Sequence, residues 1–320
     1  MSQSLSTKFK DPQQGVYFIG TTPPKHSTDD EQMSMIADKL LARLMGLDYD
    51  GLVVYDIQDE SSRITSPRPF PFAHTRDARE YSALLATQSS HEIITYKSVA
   101  QRDSEAFKAW LQETRETYHL HNLVLVGSPS SEGDIRLNLN DAYQILKDGS
   151  FDYHLGGVTI AERHALKGNE HERLMNKTLQ GCEFFISQAV YNPQATIDLL
   201  TSYARSCRLQ NQQPKRIILT FAPCGSAKTL EFMEWLGISI PEATRWRILD
   251  SEKPLSESVK ICQTNLDQIL SACRHLDLPL GLNIESLTNR KEEIDASVHL
   301  FKLLKATLDL HLAEKALESV

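Results

Sequence analysis

The chain has 320 residues, 41% hydrophobic and 24% charged, with a formal net charge of −8. That is the composition of an ordinary globular protein, long enough to bury a core without disulfides or structural metal. The acidic balance and the lack of a basic run exclude a nucleic-acid footprint. No apolar run is long enough to cross a membrane, and the polar stretch Met1–Lys10 lacks the apolar core of a signal peptide, so the expected compartment is the cytoplasm.

Taken in chain order, short apolar runs alternate with longer amphipathic ones. Val16–Ile19 reads as a strand, and a helix follows around Met33–Leu47, where Met35, Ile36, Leu40, Leu41 and Leu44 share a face. Gly51–Tyr55 and Glu92–Tyr96 are the next strands. A helix through Phe107–Thr117 leads into the strand Asn122–Val126. Leu139–Leu146 is helical and Gly156–Ile160 extended. The second half repeats the rhythm, with helices at Glu170–Gln180, Ala195–Arg208, Ala227–Leu236, around Leu255–Arg274 and from Arg290 to about Leu312. Its strands are Phe184–Gln188, Arg216–Phe221 and Leu280–Glu285.

About eight strand–helix units without a linker predict a single (β/α)8 barrel domain over residues 1–320, with a flexible segment over residues 1–14. The rival open sheet would carry a Gly-rich turn after its first strand. Here that turn is Gly20-Thr21-Thr22-Pro23-Pro24, and no Walker A sequence occurs. Cys182, Cys207, Cys224, Cys262 and Cys273 are widely spaced, without a CxxC pair or Cys/His cluster, so reduced thiols and no metal are expected.

A barrel places its chemistry at the C-terminal ends of the strands. That rule selects Gly20–Lys25, then Tyr55, Asp56, Gln58, Asp59 and Glu60, then Tyr96-Lys97-Ser98 and Gly127-Ser128-Pro129-Ser130. It continues with Ala161-Glu162-Arg163-His164, Ser187-Gln188, Ala222-Pro223-Cys224-Gly225, Asn283 and Glu285. Each has a plainer reading. The Gly127–Ser130 run is a natural turn that could also hold a phosphate. Asp56–Glu60 reads equally as a solvated acidic loop, and Glu162–His164 as a surface ion pair. The basic stretch Arg63–Arg79, interleaved with prolines and acids, reads as a loop able to meet an anion. Gln188 ends an apolar strand, where its amide needs partners, which favours a ligand.

At these residues the chain resembles methylenetetrahydrofolate reductases. The resemblance rests on YFIGTTPPK (Tyr17–Lys25), Glu170–Asn192 with its Gln-ended strand, Arg216–Leu236 with Pro223 and Lys228, and Leu282–Leu300. These segments occur in the family's order and are spread from the first strand to the last helix. The resemblance implies a folate contact at Gln188, an arginine for the glutamate tail at Arg290, and a lysine near flavin phosphates at Lys177. Three departures accompany it. Gly20 stands where the family has a glutamate, Val126-Gly127-Ser128 replaces its Arg-Gly-Asp, and Val158–His164 replaces its Tyr-Pro-Glu.

Glycine cannot protonate N10 of methylenetetrahydrofolate, so either Glu285 or Asp56 acts as the acid or the reaction differs. The resemblance thus implies an NAD(P)H-dependent oxidoreductase of one-carbon metabolism. Its substrate would be held by Gln188, Arg290 and Asn283, and its cofactor by Tyr55, Ser128, Glu162, His164 and Lys177, with FAD weak or absent. The alternatives are a folate-binding barrel serving a methyltransferase, and an enzyme on another one-carbon or pterin substrate. Expected partners are a small-molecule folate and either a second copy or a methyltransferase, with no nucleic acid and no membrane.

Overall fold

The runs rich in β-branched and aromatic residues are extended in the computed structural model, which describes residues 5–61, 64–128, 135–149 and 151–318. Eight parallel strands close into a (β/α)8 barrel in chain order. They are β1 (Val16–Thr21), β2 (Gly51–Val54), β3 (Glu92–Ser98), β4 (Asn122–Val126), β5 (His154–Thr159), β6 (Phe184–Ala189), β7 (Arg216–Phe221) and β8 (Leu280–Ile284). The helices are α1 (Leu5–Lys10), α2 (Asp30–Leu44), α3 (Ala78–Gln88), α4 (Ser104–Glu116), α5 (Leu139–Asp148) and α6 (Ala161–Lys167). The rest are α7 (Glu170–Leu179), α8 (Pro193–Leu209), α9 (Ala227–Trp235), α10 (Glu242–Leu249), α11 (Pro254–Ala272) and α12 (Lys291–Glu318). Six of them start as their residue types dictate: Asp29, Asp77, Asp103, Asn138, Asn192 and Ser226 each accept a backbone N–H of the first turn.

Contacts group into two compact units. The first comprises Met1–Ile19, Thr159–Thr178 and Phe184–Val320. Its ladder runs β6–β7–β8–β1, with Phe184 beside Arg216, Ile218 beside Gly281, and Gly281 beside Val16. The strand period of two gives each strand an outer and an inner face. Outer residues meet helices: Phe185 packs edge-on against Tyr203 of α8, and Tyr17 meets Phe301 of α12 and donates its hydroxyl to Asp309. On the inner face Gly281 is obligatory, because a Cβ there would lie 2.7 Å from the Val16 carbonyl oxygen. Thr220 and Asn283 are neighbours on that same face.

The first unit is closed at the strand starts by α1. Phe9 stacks on Phe184 at 4.6 Å and lies 6.1 Å from Phe18. Arg216, fully buried at the start of β7, donates to the carbonyls of Lys8 (2.8 Å), Phe9 (3.3 Å), Asp11, Gln14 (2.8 Å) and Leu280. The guanidinium charge sits against the negative end of α1 and satisfies carbonyls that would otherwise be buried without donors. In the segment expected to be flexible, Leu5 and Phe9 are buried, and the carbonyls of Lys8, Phe9, Asp11 and Gln14 are held by Arg216. The few apolar side chains there gave no periodic signal, and their anchor lies some 200 positions along the chain.

The second unit comprises Gly20–Val158 and Leu179–Glu183, and its ladder runs β2–β3–β4–β5. Thr95 donates to Ser82 of α3, and Lys97 lies 5.4 Å from the Trp110 ring of α4. These residues therefore face the helices, while Ile94 and Tyr96 face inward. Among the described residues no helix is long and apolar enough to cross a membrane.

The cage around Arg216 makes a stability prediction. Arg216→Met should leave several buried carbonyls without donors and cost roughly 3 kcal/mol. Urea unfolding monitored by circular dichroism checks this, and an unchanged midpoint would contradict it.

Candidate functional site

In the first unit the polar residues gather where β6, β7 and β8 end. Ser187 and Gln188 interrupt the β6–β7 register, which slips between Ile186 and Ala189. Ser187 Oγ fills the gap, accepting the Thr220 N–H at 2.9 Å and donating to the Gln188 carbonyl at 2.8 Å. A bulge of this kind re-aims a side chain at a strand end. Gln188 accordingly donates Nε2 to the Leu236 carbonyl at 2.8 Å, in the segment between α9 and α10.

Two more side chains hold that segment. Glu162 Oε1 accepts the Ser239 N–H at 3.1 Å, and Asn192 donates to Ser239 Oγ at 3.2 Å. Gly237, at φ +86°, provides the left-handed turn between the anchors. Beneath the segment, Thr159, Glu162, Ser187, Gln188 and Thr196 line a small cavity of about 10 Å³, room for one water. Burial pushes the Glu162 carboxyl up from its ordinary range, against the opposing pull of its N–H bonds.

Asn283 is fully buried on the inner face and donates to Thr220 Oγ1 at 3.2 Å. Glu285 extends the ladder past β8, its N–H bonded to the Phe221 carbonyl at 3.1 Å, and the two-residue period puts it on the Asn283 side. Arg290 is exposed just before α12. The sequence did not single out Glu293, which is buried in the first turn of α12. Its Oε1 accepts from Gly225 N (3.0 Å) and Thr229 Oγ1 (2.8 Å), while Thr288 donates to Oε2. It ties the ends of β7 and β8 together. The clue was an acid in the first turn of a helix that follows a strand end, a signal shared with several solvated acids.

In the second unit Tyr55 and Tyr96 meet edge to face at 4.8 Å at the ends of β2 and β3. Asp56, expected as an acid, is used differently. Its Oδ2 meets Lys97 Nζ at 3.1 Å and the Ser98 N–H at 2.8 Å, and its Oδ1 accepts from Gln58 at 2.9 Å. Lys97 faces α4, so Asp56 is a clamp on the helix side and not a proton donor at the inner face. The acidic run thus splits: Asp59 holds Ser61 in the loop, and Asp56 ties β2 to β3. Ser128 is half-buried just past β4, and Pro129, Ser130 and Arg63 lie outside the described residues.

The residues assigned to the cofactor beside β5 are engaged within the protein. Ala161–His164 is the start of α6, directly after β5. Arg163 pairs with the fully buried Glu170 at 3.0 Å, which also meets Arg173 at 3.3 Å and accepts the Ile160 N–H. His164 is buried edge-on against His171, 5.2 Å away, and burial followed by that neighbour lowers its pKa. Lys177 is buried in α7. A diphosphate needs donors, and this segment presents the desolvated carboxyl of Glu162 while its arginine is already paired. Among the described residues no group of three His, Cys, Asp or Glu side chains could hold a metal, and the five cysteines are buried and unbridged.

These features define a parallel barrel with a polar, amide-rich set of strand ends and a stapled segment over β6. No protein-family model and no curated protein matches the chain. A solved structure of an uncharacterized protein from Clostridium thermocellum, described as binding two copies of 5-methyl-5,6,7,8-tetrahydrofolic acid, is 36% identical. The match covers 95% of this chain and 99% of that one, with a TM-score of 0.81. The chain belongs to that protein's family. Two further solved structures are distant: CbXyn10B in native form (12% identity, 89% and 88% covered, TM-score 0.49) and oxaloacetate acetylhydrolase with oxalate (11%, 85% and 97%, 0.43).

Glu162 makes the site's stability depend on pH. Near its ordinary value of 4.5 the unfolded chain ionises first, while the folded carboxyl keeps its proton. Its contribution is full below that value and is lost as pH rises towards the folded one. Urea midpoints measured across this window should fall more steeply with rising pH in the native protein than in Glu162→Gln. Parallel curves would contradict the assignment.

Proposed function

We propose that this protein binds a reduced folate of the 5-methyltetrahydrofolate class at the ends of β6, β7 and β8, as a folate-binding barrel that serves methyl-group chemistry. The observation that carries the reading is a relative, 36% identical over nearly the whole of both chains, whose description names that ligand. The residues support it. With Nε2 of Gln188 held on the Leu236 carbonyl, its Oε1 is oriented as an acceptor. The pyrimidinone edge of a pterin offers adjacent N–H donors to such an oxygen. Asn283 and Glu285 share the inner face, and exposed Arg290 suits the carboxylates of a glutamate tail. A methyltransferase is the natural protein partner for such a carrier.

Isothermal titration with 5-methyltetrahydrofolate tests this. Gln188→Ala should weaken binding at this site by about 1–3 kcal/mol, roughly 5- to 150-fold. Unchanged affinity in a folded variant would return Gln188 to holding the α9–α10 segment alone.

One observation favours a second reading, an NAD(P)H-dependent reductase acting on a folate. A carboxyl kept towards its neutral form, as Glu162 is, suits proton delivery during opening of a methylene bridge. Glu285 is the other carboxyl near the β8 end, and Gly20 supplies none. Under either reading flavin binding should be weak, since Arg163, beside the β5 end, is already paired with Glu170. Dialysed protein should show no flavin absorption band, and any NAD(P)H oxidation should proceed without added flavin. A near-stoichiometric band would overturn this expectation.

A further inference from the structure

A second cleft lies in the first unit, away from Gln188, where the start of α8, helix α10 and helix α11 come together. Its volume is about 310 Å³. That is the low end of the range for small-molecule sites, enough for a bicyclic head group but not for a whole folate. Pro193, at the first position of α8, and Pro241, just before α10, give it two rigid apolar walls. Asn265 of α11, only 6% exposed, lines the cleft and donates Nδ2 to the Tyr191 carbonyl at 3.4 Å, so its amide is fixed in place. Gln268 is three residues further along the same helix face, and Thr244 faces it from α10. Arg247 donates Nε to Glu257 at 2.6 Å, leaving its terminal amino groups for an anion at the edge.

These walls have a definite chemistry. Flat apolar surfaces hold a planar ring, amides and a hydroxyl read an edge of mixed donors and acceptors, and a guanidinium meets a carboxylate. A pterin with a glutamate tail has all three features. The folate reading above assigns one such ligand to the β6–β8 strand ends, whereas the C. thermocellum relative is described as binding two copies. The small cavity between β5–β7 and α8 has room for no more than one water and cannot take the second.

We propose that the α8–α10–α11 cleft is a second reduced-folate site, in which Asn265 and Gln268 read the pterin edge and Arg247 meets the tail. This rests on the folate reading above. The segment between α9 and α10 separates the two sites and contributes to both, through Leu236 to Gln188 and through Pro241 to the cleft.

Titration of the full-length protein with 5-methyltetrahydrofolate measures the stoichiometry. Thr264→Trp and Thr244→Trp each place an indole in the cleft from a position that is not buried, with folding checked by circular dichroism. The native protein should bind two folates per chain. Each folded tryptophan variant should bind one, with the affinity of the remaining site unchanged, and Gln188→Ala should retain the cleft site. A native stoichiometry of one, or two folates still bound in both variants, would overturn the cleft while leaving the folate reading intact. No binding at all would overturn both.

Discussion

A buried charge organises the first unit. Arg216 opens β7 with no solvent contact, and its compensation comes from the carbonyls of the N-terminal segment and of Leu280. A desolvated guanidinium is tolerated only when nearly all of its N–H groups are bonded, so strand β7, strand β8 and helix α1 must assemble together. Phe9 then covers the starts of β1 and β6 with aromatic contacts. With the strand starts closed in this way, the opposite ends of these strands are left for chemistry.

There the same economy of bonding recurs with neutral groups. The β6 bulge costs a ladder acceptor, and Ser187 Oγ supplies the replacement. The bulge sends Gln188 to Leu236, while Glu162 and Asn192 converge on Ser239. Three side chains from the ends of β5 and β6 thus hold one short segment, and that segment borders both the strand-end site and the α8–α10–α11 cleft. The bond from Gln188 to Leu236 thus ties the end of β6 to the same segment.

The carboxylates illustrate how environment sorts identical groups. Asp56 is bracketed by an ammonium and two N–H donors, Glu293 by a backbone N–H and two hydroxyls, and Glu170 by two guanidinium groups. Glu162 receives only N–H bonds in a setting where burial dominates. It is therefore the carboxyl set apart electrostatically near the β5 and β6 ends, while Arg163 is paired with Glu170.

What the sequence determined by itself was local and periodic. Alternating strand and helix patterns foretold the parallel barrel, and an amide at the end of the apolar strand Phe184–Gln188 flagged Gln188. The folate expectation drawn from the ordered motifs agrees with the ligand named for the C. thermocellum relative. What only the tertiary structure decided was where each polar group finds its partner. Asp56 and Glu285 look alike as strand-end acids, yet the register of β3 beside β2 brings Lys97 to Asp56 and turns it towards α4. Glu162–His164 reads equally as a surface ion pair until the packing of α6 and α7 commits Arg163 to the buried Glu170. Arg216 reads only as the start of a strand until residues some 200 positions earlier fold over it. In each case the deciding contact joins residues far apart in the chain, and periodicity carries no information about such pairings.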